Sequence, residues 1–93
     1  MNLPAKIEIR EVGPRDGLQA ESIFIPTEKK IELINRLIQS RIKLIEATSF
    51  VNPKAIPQLR DAELVVTGIE RSSDLTISAL VGNNRGVQRA VKA

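Results

Sequence analysis

Two side chains of opposite charge, Arg15 and Asp16, stand next to each other between two glycines in the segment Glu11–Gln19. The segment follows a run typical of a β-strand (residues 6–12), so the pair is predicted to lie at the carboxyl end of a strand, where ligands of α/β folds bind. A guanidinium can stabilise developing negative charge, and a carboxylate is a hard oxygen ligand for a divalent cation. Because Gly, Pro and Asp are also ordinary turn residues, the segment is equally compatible with a turn whose Arg and Asp face water.

A second candidate is Glu46, which lies near the end of an otherwise apolar run, Ile42–Thr48. Burying a carboxylate is costly unless it is paired. We therefore expect Glu46 to point to the same rim as Arg15 and to pair with it. The alternative is an exposed residue on an edge strand.

The hydrophobic pattern predicts three strands that alternate with helices. The strands are expected at residues 6–12, 42–48 and 75–81, with polar loops at residues 15–21, 49–56 and 82–86. Two complete βαβ crossovers imply a parallel sheet. Such a sheet has one helical layer and open edges, so it resembles the opening of something larger.

Three helices are expected between and after these strands. The first follows Thr27 as its N-cap and turns an apolar stripe inward, with Lys30 among the outward residues. The second begins with Pro57 at its first position and runs to about Ile69. The third is predicted from Val87 to the end of the sequence.

The composition narrows the possible functions. The 93 residues suit one small domain, and they include neither Cys nor His, so disulfides, thiolate metal sites and histidine ligands are unavailable. The net charge of +3 is scattered and lacks an aromatic platform, which argues against nucleic acid but accommodates an anionic small ligand. No apolar run approaches the ~20 residues of a membrane span. The expected location is the cytoplasm, or a mitochondrion if a leader has been removed.

The segments Val12–Gln19 and Ile45–Lys54, followed by Pro57-Gln58 and Asp61-Ala62, closely resemble the amino-terminal part of 3-hydroxy-3-methylglutaryl-CoA lyase. This enzyme belongs to a metal-dependent lyase superfamily built on a TIM barrel. Leu18 stands where related aldol-type synthases usually carry Glu, which favours the lyase branch. The resemblance implies an α/β fold in which residues 1–93 are the first three βα units of a TIM (β/α)8 barrel, an incomplete single domain with helices on one face of a parallel sheet.

The resemblance also implies a reaction and roles for particular residues. The family cleaves 3-hydroxy-3-methylglutaryl-CoA to acetyl-CoA and acetoacetate with a divalent metal, Mg²⁺ or Mn²⁺. By this resemblance Asp16 matches a metal ligand, Arg15 a catalytic residue that stabilises charge on the thioester oxygen, and Glu46 the catalytic acid that orients the arginine. Gln19 and Asn83, together with Arg15, match substrate-binding positions. The implied partners are an acyl-CoA substrate and the remainder of the barrel.

The chain also departs from the family pattern. The family takes two histidines and an asparagine as further metal ligands and a cysteine for proton transfer, whereas this sequence has no His and no Cys. Residues 39–42 also stand where a Gly-containing turn is usual. Because the histidines and the cysteine are missing, we expect the 93-residue chain alone to be inactive. Two alternatives are a non-catalytic α/β fragment that self-associates through its exposed sheet edges, and a fragment of a related aldol-type acyl-CoA synthase.

Overall fold

In the computed structural model, which describes residue 3 and residues 5–93, three parallel strands form one sheet in the order β1–β2–β3. A helix follows each strand along the chain, as the sequence pattern predicts. The strands are β1 (Arg10–Glu11), β2 (Leu44–Phe50) and β3 (Thr76–Val81), and the helices are α1 (Thr27–Gln39), α2 (Ala62–Gly68) and α3 (Asn84–Lys92).

The helices cover one face of the sheet. Two clusters of buried apolar side chains fill this interface, and the aliphatic composition of the chain is reflected in them, because Phe50 is their one aromatic member. The first cluster consists of Ile34, Ile45, Ala47, Val65 and Ile69, and the second of Phe50, Ala62 and Val66. Since side chains alternate along a strand, Glu46 and Ser78 lie on the opposite, open face.

The strands differ from their predicted bounds in length and position. β1 covers two residues instead of seven, because only Arg10 and Glu11 find partners in β2, while Ile7 and Ile9 remain exposed. β2 begins and ends two residues later than predicted, so Ser49 and Phe50 belong to the strand and not to the following loop. Hydrogen bonding to β3, which local sequence does not reveal, sets this end.

Two predictions about α1 are wrong. Thr27 is the first helical residue and not the N-cap, which is Pro26; the Thr27 hydroxyl donates to Asp61 Oδ2 at 2.6 Å. Lys30 does not face solvent, because its ammonium group lies against Asp61 in the interior. A long, flexible side chain at the border of the apolar face of a helix can turn inward when a carboxylate is available there as its partner.

The second and third helices also begin elsewhere than predicted. Pro57 opens a single 3₁₀ turn, Pro57–Leu59, and α2 starts only at Ala62, so the predicted continuous helix is broken. The predicted loop at residues 82–86 is wrong in its second half, because Asn83 caps α3 and the helix starts at Asn84. The cap is a hydrogen bond from the Gly86 amide to Asn83 Oδ1 at 2.8 Å.

The exit from α1 contains an unusual backbone conformation. Arg41 has φ of 72°, and among the described residues it is the one non-glycine residue with positive φ. A left-handed residue directly after a helix is ordinarily glycine, since a Cβ atom is strained there. This is the place where the sequence lacks a Gly-containing turn, and Arg41 adopts the left-handed conformation there.

Candidate active site at the carboxyl ends of the strands

Residues Gly13–Gly17 leave β1 in one wide helical turn of the π type, not in the open loop that the sequence predicts. The amide of Asp16 donates to Val12 O at 2.7 Å, and that of Arg15 donates to the same oxygen at 3.1 Å. Pro14 is buried in the first turn, where its missing N–H leaves no hydrogen bond unmade. The turn sits at the carboxyl end of β1 and packs against β2 at Glu46, which is the third of the seven residues of β2 and not near its end as the sequence predicts.

Arg15 and Glu46 form an ion pair across this rim. Arg15 Nε donates to Glu46 Oε2 at 3.1 Å, and the two side chains are 20% and 12% exposed. The pairing predicted from the sequence is therefore present in the structure. Because both groups are largely shielded from water, removing either one would leave the other without its partner in a poorly solvated place.

Asp16 has different surroundings from its neighbour. Its side chain is 69% exposed, and its one ionic contact is a loose one, 3.5 Å from Asp16 Oδ1 to Arg15 Nη1. At this distance the interaction is at the limit of a hydrogen bond, so the carboxylate oxygens remain largely available. The structure thus brings Arg15, Asp16 and Glu46 together at one rim. Arg15 is hydrogen-bonded to Glu46, whereas the carboxylate of Asp16 is only loosely bound.

A β-bulge lies immediately after Glu46. The register of β2 and β3 pairs Glu46 with Ser78 and Thr48 with Ala79, which leaves Ala47 as the extra residue. Bulges next to functional sites re-aim side chains by bending the strand. Nothing in the local sequence of residues 44–50 signals this irregularity.

Two buried polar atoms have no hydrogen-bond partner within the described part of the chain, Gln19 Oε1 and Ser78 Oγ. Buried polar atoms in native proteins are nearly always satisfied, by protein, water or ligand. Gln19 follows the Arg15–Asp16 turn, and Ser78 is the strand neighbour of Glu46. Sequence reasoning identified Gln19 but missed Ser78, because a serine in a strand carries no distinctive signal.

Asn83 lies in a neighbouring cleft instead of beside the Arg15–Glu46 pair. This cleft has a volume of about 750 Å³ and is lined by the residues that follow β2 and β3. Its basic lining residues are Lys54, Arg60, Arg85 and Arg89. Asn83 Oδ1 is committed to the α3 cap, so a ligand in the cleft would meet its amide nitrogen or compete for that oxygen.

An ion pair on one wall of the cleft ties α3 to α2. Arg89 donates through Nε and Nη2 to the two oxygens of Glu63, at 2.9 and 2.7 Å, and through Nη1 to Val51 O at 2.9 Å. These side-chain hydrogen bonds from Arg89 lower the pKa of Glu63 and raise that of Arg89. One of the four cations is therefore neutralised, and the sequence pattern gave no indication of this pair.

The donors available to a metal ion are few. Among the described residues no group of three or more His, Cys, Asp or Glu side chains could hold one. Asp16 fits the chemistry of a single hard oxygen ligand, since it is exposed and loosely paired. Glu46 is less suitable, because its Oε2 already accepts from Arg15. Divalent ions such as Mg²⁺ take about six oxygens, so Asp16 would be one ligand among several.

Strands that alternate with helices on one face of a parallel sheet are the architecture expected of part of an α/β barrel. By sequence and by fold, the chain is similar to the amino-terminal part of hydroxymethylglutaryl-CoA lyases. It is 52% identical over 92 residues to the lyase YngG of Bacillus subtilis and 50% identical over 91 residues to a cytoplasmic lyase of Danio rerio. These matches cover 99% and 98% of this chain, but 31% and 27% of the relatives. No known protein-family profile matches the chain.

Solved structures give the same result for the fold. A Bacillus subtilis lyase superposes with a TM-score of 0.93 at 52% identity, over 99% of this chain and 31% of that one. A Pseudomonas aeruginosa lyase gives 0.94 at 41% identity, with the same coverage. An Acinetobacter baumannii lyase, solved with coenzyme A and 3-methylmalate, gives 0.85 at 53% identity over 91% of this chain and 28% of that one. These neighbours are TIM barrels, so the predicted fold class is confirmed.

The chain thus spans about a third or less of the length of the curated relatives that it matches. Those relatives include proteins named as mitochondrial and proteins named as cytoplasmic. Among the described residues, no helix is long and apolar enough to cross a membrane.

Proposed function

We propose that residues 1–93 are the first three βα units of a single barrel domain that cleaves 3-hydroxy-3-methylglutaryl-CoA to acetyl-CoA and acetoacetate. The observation that carries the proposal is the rim arrangement, in which Arg15 is held by Glu46 while Asp16 beside it is exposed and only loosely paired with Arg15. Similarity to hydroxymethylglutaryl-CoA lyases over 99% of the chain supports it. The remaining units of the barrel complete the site.

In this reaction Arg15 stabilises the negative charge that grows on the thioester oxygen as the carbon–carbon bond breaks. The hydrogen bond from its Nε to Glu46 fixes the guanidinium plane before substrate arrives, so Nη2 can donate without reorganisation and Nη1 has only its loose contact with Asp16 to give up. Donors fixed in advance are worth far more than mobile ones, and losing one typically costs about 10²–10³ in rate. Glu46 acts through Arg15 as well as lying close to the substrate.

Asp16 is the proposed ligand of a divalent cation, Mg²⁺ or Mn²⁺. Such an ion supplies a Lewis acid that holds the substrate oxygens. The role of Asp16 is to give one carboxylate oxygen to it, from a position adjacent to the charge-stabilising arginine. Its exposure and its loose contact with Arg15 support this assignment, because little must be broken for the oxygen to become available.

Gln19 and Asn83 are the proposed substrate-binding residues. The unpartnered Oε1 of Gln19 is a buried acceptor that a substrate hydroxyl could satisfy. Asn83 stands at the cleft with the basic lining, and Lys54 and Arg85, which form no ion pair with another described residue, suit the phosphates of an acyl-CoA. A related structure contains coenzyme A, which is consistent with such a substrate.

The test is a chimera in which residues 1–93 replace the matched segment of the Bacillus subtilis lyase. We expect the chimera to release acetoacetate from 3-hydroxy-3-methylglutaryl-CoA in the presence of Mg²⁺ or Mn²⁺, and to stop when the metal is chelated. Asp16→Asn should lower the metal-dependent kcat/KM by at least about 100-fold, since even outer-shell changes at metal sites cost 10–100-fold.

The matched control for this substitution is Asp74→Asn. Asp74 is 68% exposed, close to the 69% of Asp16, but precedes β3 and so lies at the opposite end of the sheet. It should leave turnover unchanged. Full activity in the Asp16→Asn chimera would remove Asp16 from the metal site, and a folded chimera without any lyase activity would overturn the proposed function. Activity on aldol-type synthase substrates instead would favour the related synthase.

A second candidate function is a non-catalytic module that self-associates. The observation that favours it is the open face and edge of the sheet, where large apolar side chains such as Ile9 and Leu80 are exposed.

For either function we propose a cytoplasmic location, or a mitochondrial one if a leader has been removed. Cell fractionation would decide between the two locations.

A further inference from the structure

A buried polar cluster holds the segment that links the Arg15–Asp16 turn to α1. Its centre is Lys30 of α1, whose Nζ lies 2.5 Å from Asp61 Oδ1 and donates to Gln58 O at 2.6 Å. The side chains of Lys30 and Asp61 are only 3% and 6% exposed. None of these groups has a part in the proposed reaction.

The cluster reaches the linking segment through two contacts. Phe24 makes cation–π contacts with two basic side chains, its ring centroid 4.4 Å from Lys30 Nζ and 3.6 Å from Arg60 Cζ. Gln58 Nε2 donates to the backbone oxygen of Glu21 at 3.0 Å. The second oxygen of Asp61 is occupied by the Thr27 hydroxyl, so both carboxylate oxygens are satisfied.

We propose that this Lys30–Asp61 cluster positions the turn that carries Arg15 and Asp16, and that Lys30, Gln58 and Asp61 are positioning residues for the reaction. The inference rests on the proposed function. Apolar side chains of similar volume would hold α1 against the Pro57–Asp61 segment at least as well as a buried ion pair. The charged pair adds a directional constraint, because its hydrogen bonds fix the position of residues 58–61 relative to α1.

The linking segment transmits that direction over a short distance. Glu21 follows Asp16 by five positions, and the turn itself is fixed at its other end by the Arg15–Glu46 pair. A change in the position of Glu21 and Phe24 must therefore be absorbed between residues 17 and 20 or passed to Arg15. A misplacement of about 1 Å can cost about 10²-fold in rate.

The experiment uses the barrel chimera and the double variant Lys30→Met/Asp61→Leu, which removes both charges together, so that neither is left buried without its counter-charge. We expect its unfolding midpoint to equal or exceed that of the parent, while kcat falls at least about 10-fold and KM stays within about threefold. Lys29→Met, the same substitution at the adjacent exposed position, should change neither.

Gln58→Leu guards against a double variant that does not fold. It removes the exposed hydrogen bond to Glu21 O and leaves the ion pair intact, so its midpoint should match the parent while kcat falls several-fold. Parent values of kcat in Gln58→Leu, or in a folded double variant, would show a purely structural role and overturn the inference.

A readout without turnover separates this inference from the proposed function. In protein labelled with ¹⁵N-arginine, the Arg15 Nε–H resonance reports its hydrogen bond to Glu46. We expect this resonance to move in Gln58→Leu and in the double variant, and to stay in place in Lys29→Met. An unmoved resonance would overturn the positioning role even in an inactive chimera, whereas lack of activity in the parent chimera would count against the function alone.

Discussion

At the scale of single residues, Arg41 adopts a left-handed backbone conformation although it is not a glycine. Its φ of 72° belongs to the region that glycine occupies without strain. Backbone hydrogen bonds from Ser40 and Arg41 to the last carbonyls of α1 impose this conformation, because they close the helix end whatever the side chain is. Arg41 therefore contributes strain to the folded state.

Arg41→Gly should raise the free energy of unfolding by about 1 kcal/mol, the cost of a left-handed conformation for a residue with a Cβ atom, less the extra freedom of glycine in the unfolded chain. Urea denaturation of the chimera and its variant gives the comparison. Arg41→Ala is the control, since it removes the guanidinium but keeps the Cβ atom. An Ala variant as stable as the Gly variant would show that the guanidinium, and not the backbone, was responsible.

At the scale of secondary-structure elements, Arg89 and Glu63 connect α3 to α2 and, through Val51 O, to the end of β2. The hydrogen bonds from Arg89 lower the pKa of Glu63 below its ordinary value of 4.5. The folded protein therefore binds this proton less tightly than the unfolded chain does. It follows that the pair stabilises the fold fully above pH about 4.5 and loses that contribution as the pH falls through the lowered pKa.

Glu63→Gln should lower the unfolding free energy at pH 7 and lose that deficit in acid, as the pH falls through the lowered pKa of Glu63. The expected difference is modest, because the Glu63 side chain is almost half exposed and water screens the pair. Urea denaturation across pH is the measurement. Glu32→Gln serves as control, since its partner Arg36 is 75% exposed, against 21% for Arg89, and the pair should contribute little at any pH. A pH-independent deficit for Glu63→Gln would contradict the assignment.

At the scale of the whole molecule, self-association through the open face of the sheet would distinguish an associating role from a catalytic one. If the 93-residue chain acts by itself as an associating module, its mass in sedimentation velocity should grow with concentration. Leu80→Lys, on the open face, should then suppress the growth, because it places a charge where two sheets would meet. Val91→Lys, at an equally apolar exposed position on α3, is the control and should not. A mass of one chain at all concentrations would exclude this role.

The sequence predicted the order of elements and the Arg15–Glu46 pair, because both follow from local patterns: hydrophobic periodicity and the cost of an unpaired carboxylate in an apolar strand. It did not predict the interior position of Lys30 or the cap formed by Asn83. The first depends on a partner that is remote in sequence, Asp61 at 31 positions from Lys30, whereas the cap is local, with the Gly86 amide three positions from Asn83. The roles of Asp16, Gln19 and Asn83 in binding stay predictions.

The bulge at Ala47 has a consequence for insertions and deletions in this chain. Beyond it, Thr48, Ser49 and Phe50 are already in step with Ala79, Leu80 and Val81. Deleting Ala47 would therefore leave all pairs with β3 intact and keep Phe50 in the core, while straightening β2 beside Glu46. The fold would lose one small side chain of its first core cluster, and the larger change would fall on the rim beside Glu46. Deleting the codon for Ala47 would therefore change the site beside Glu46 while keeping the strand pairing of the fold.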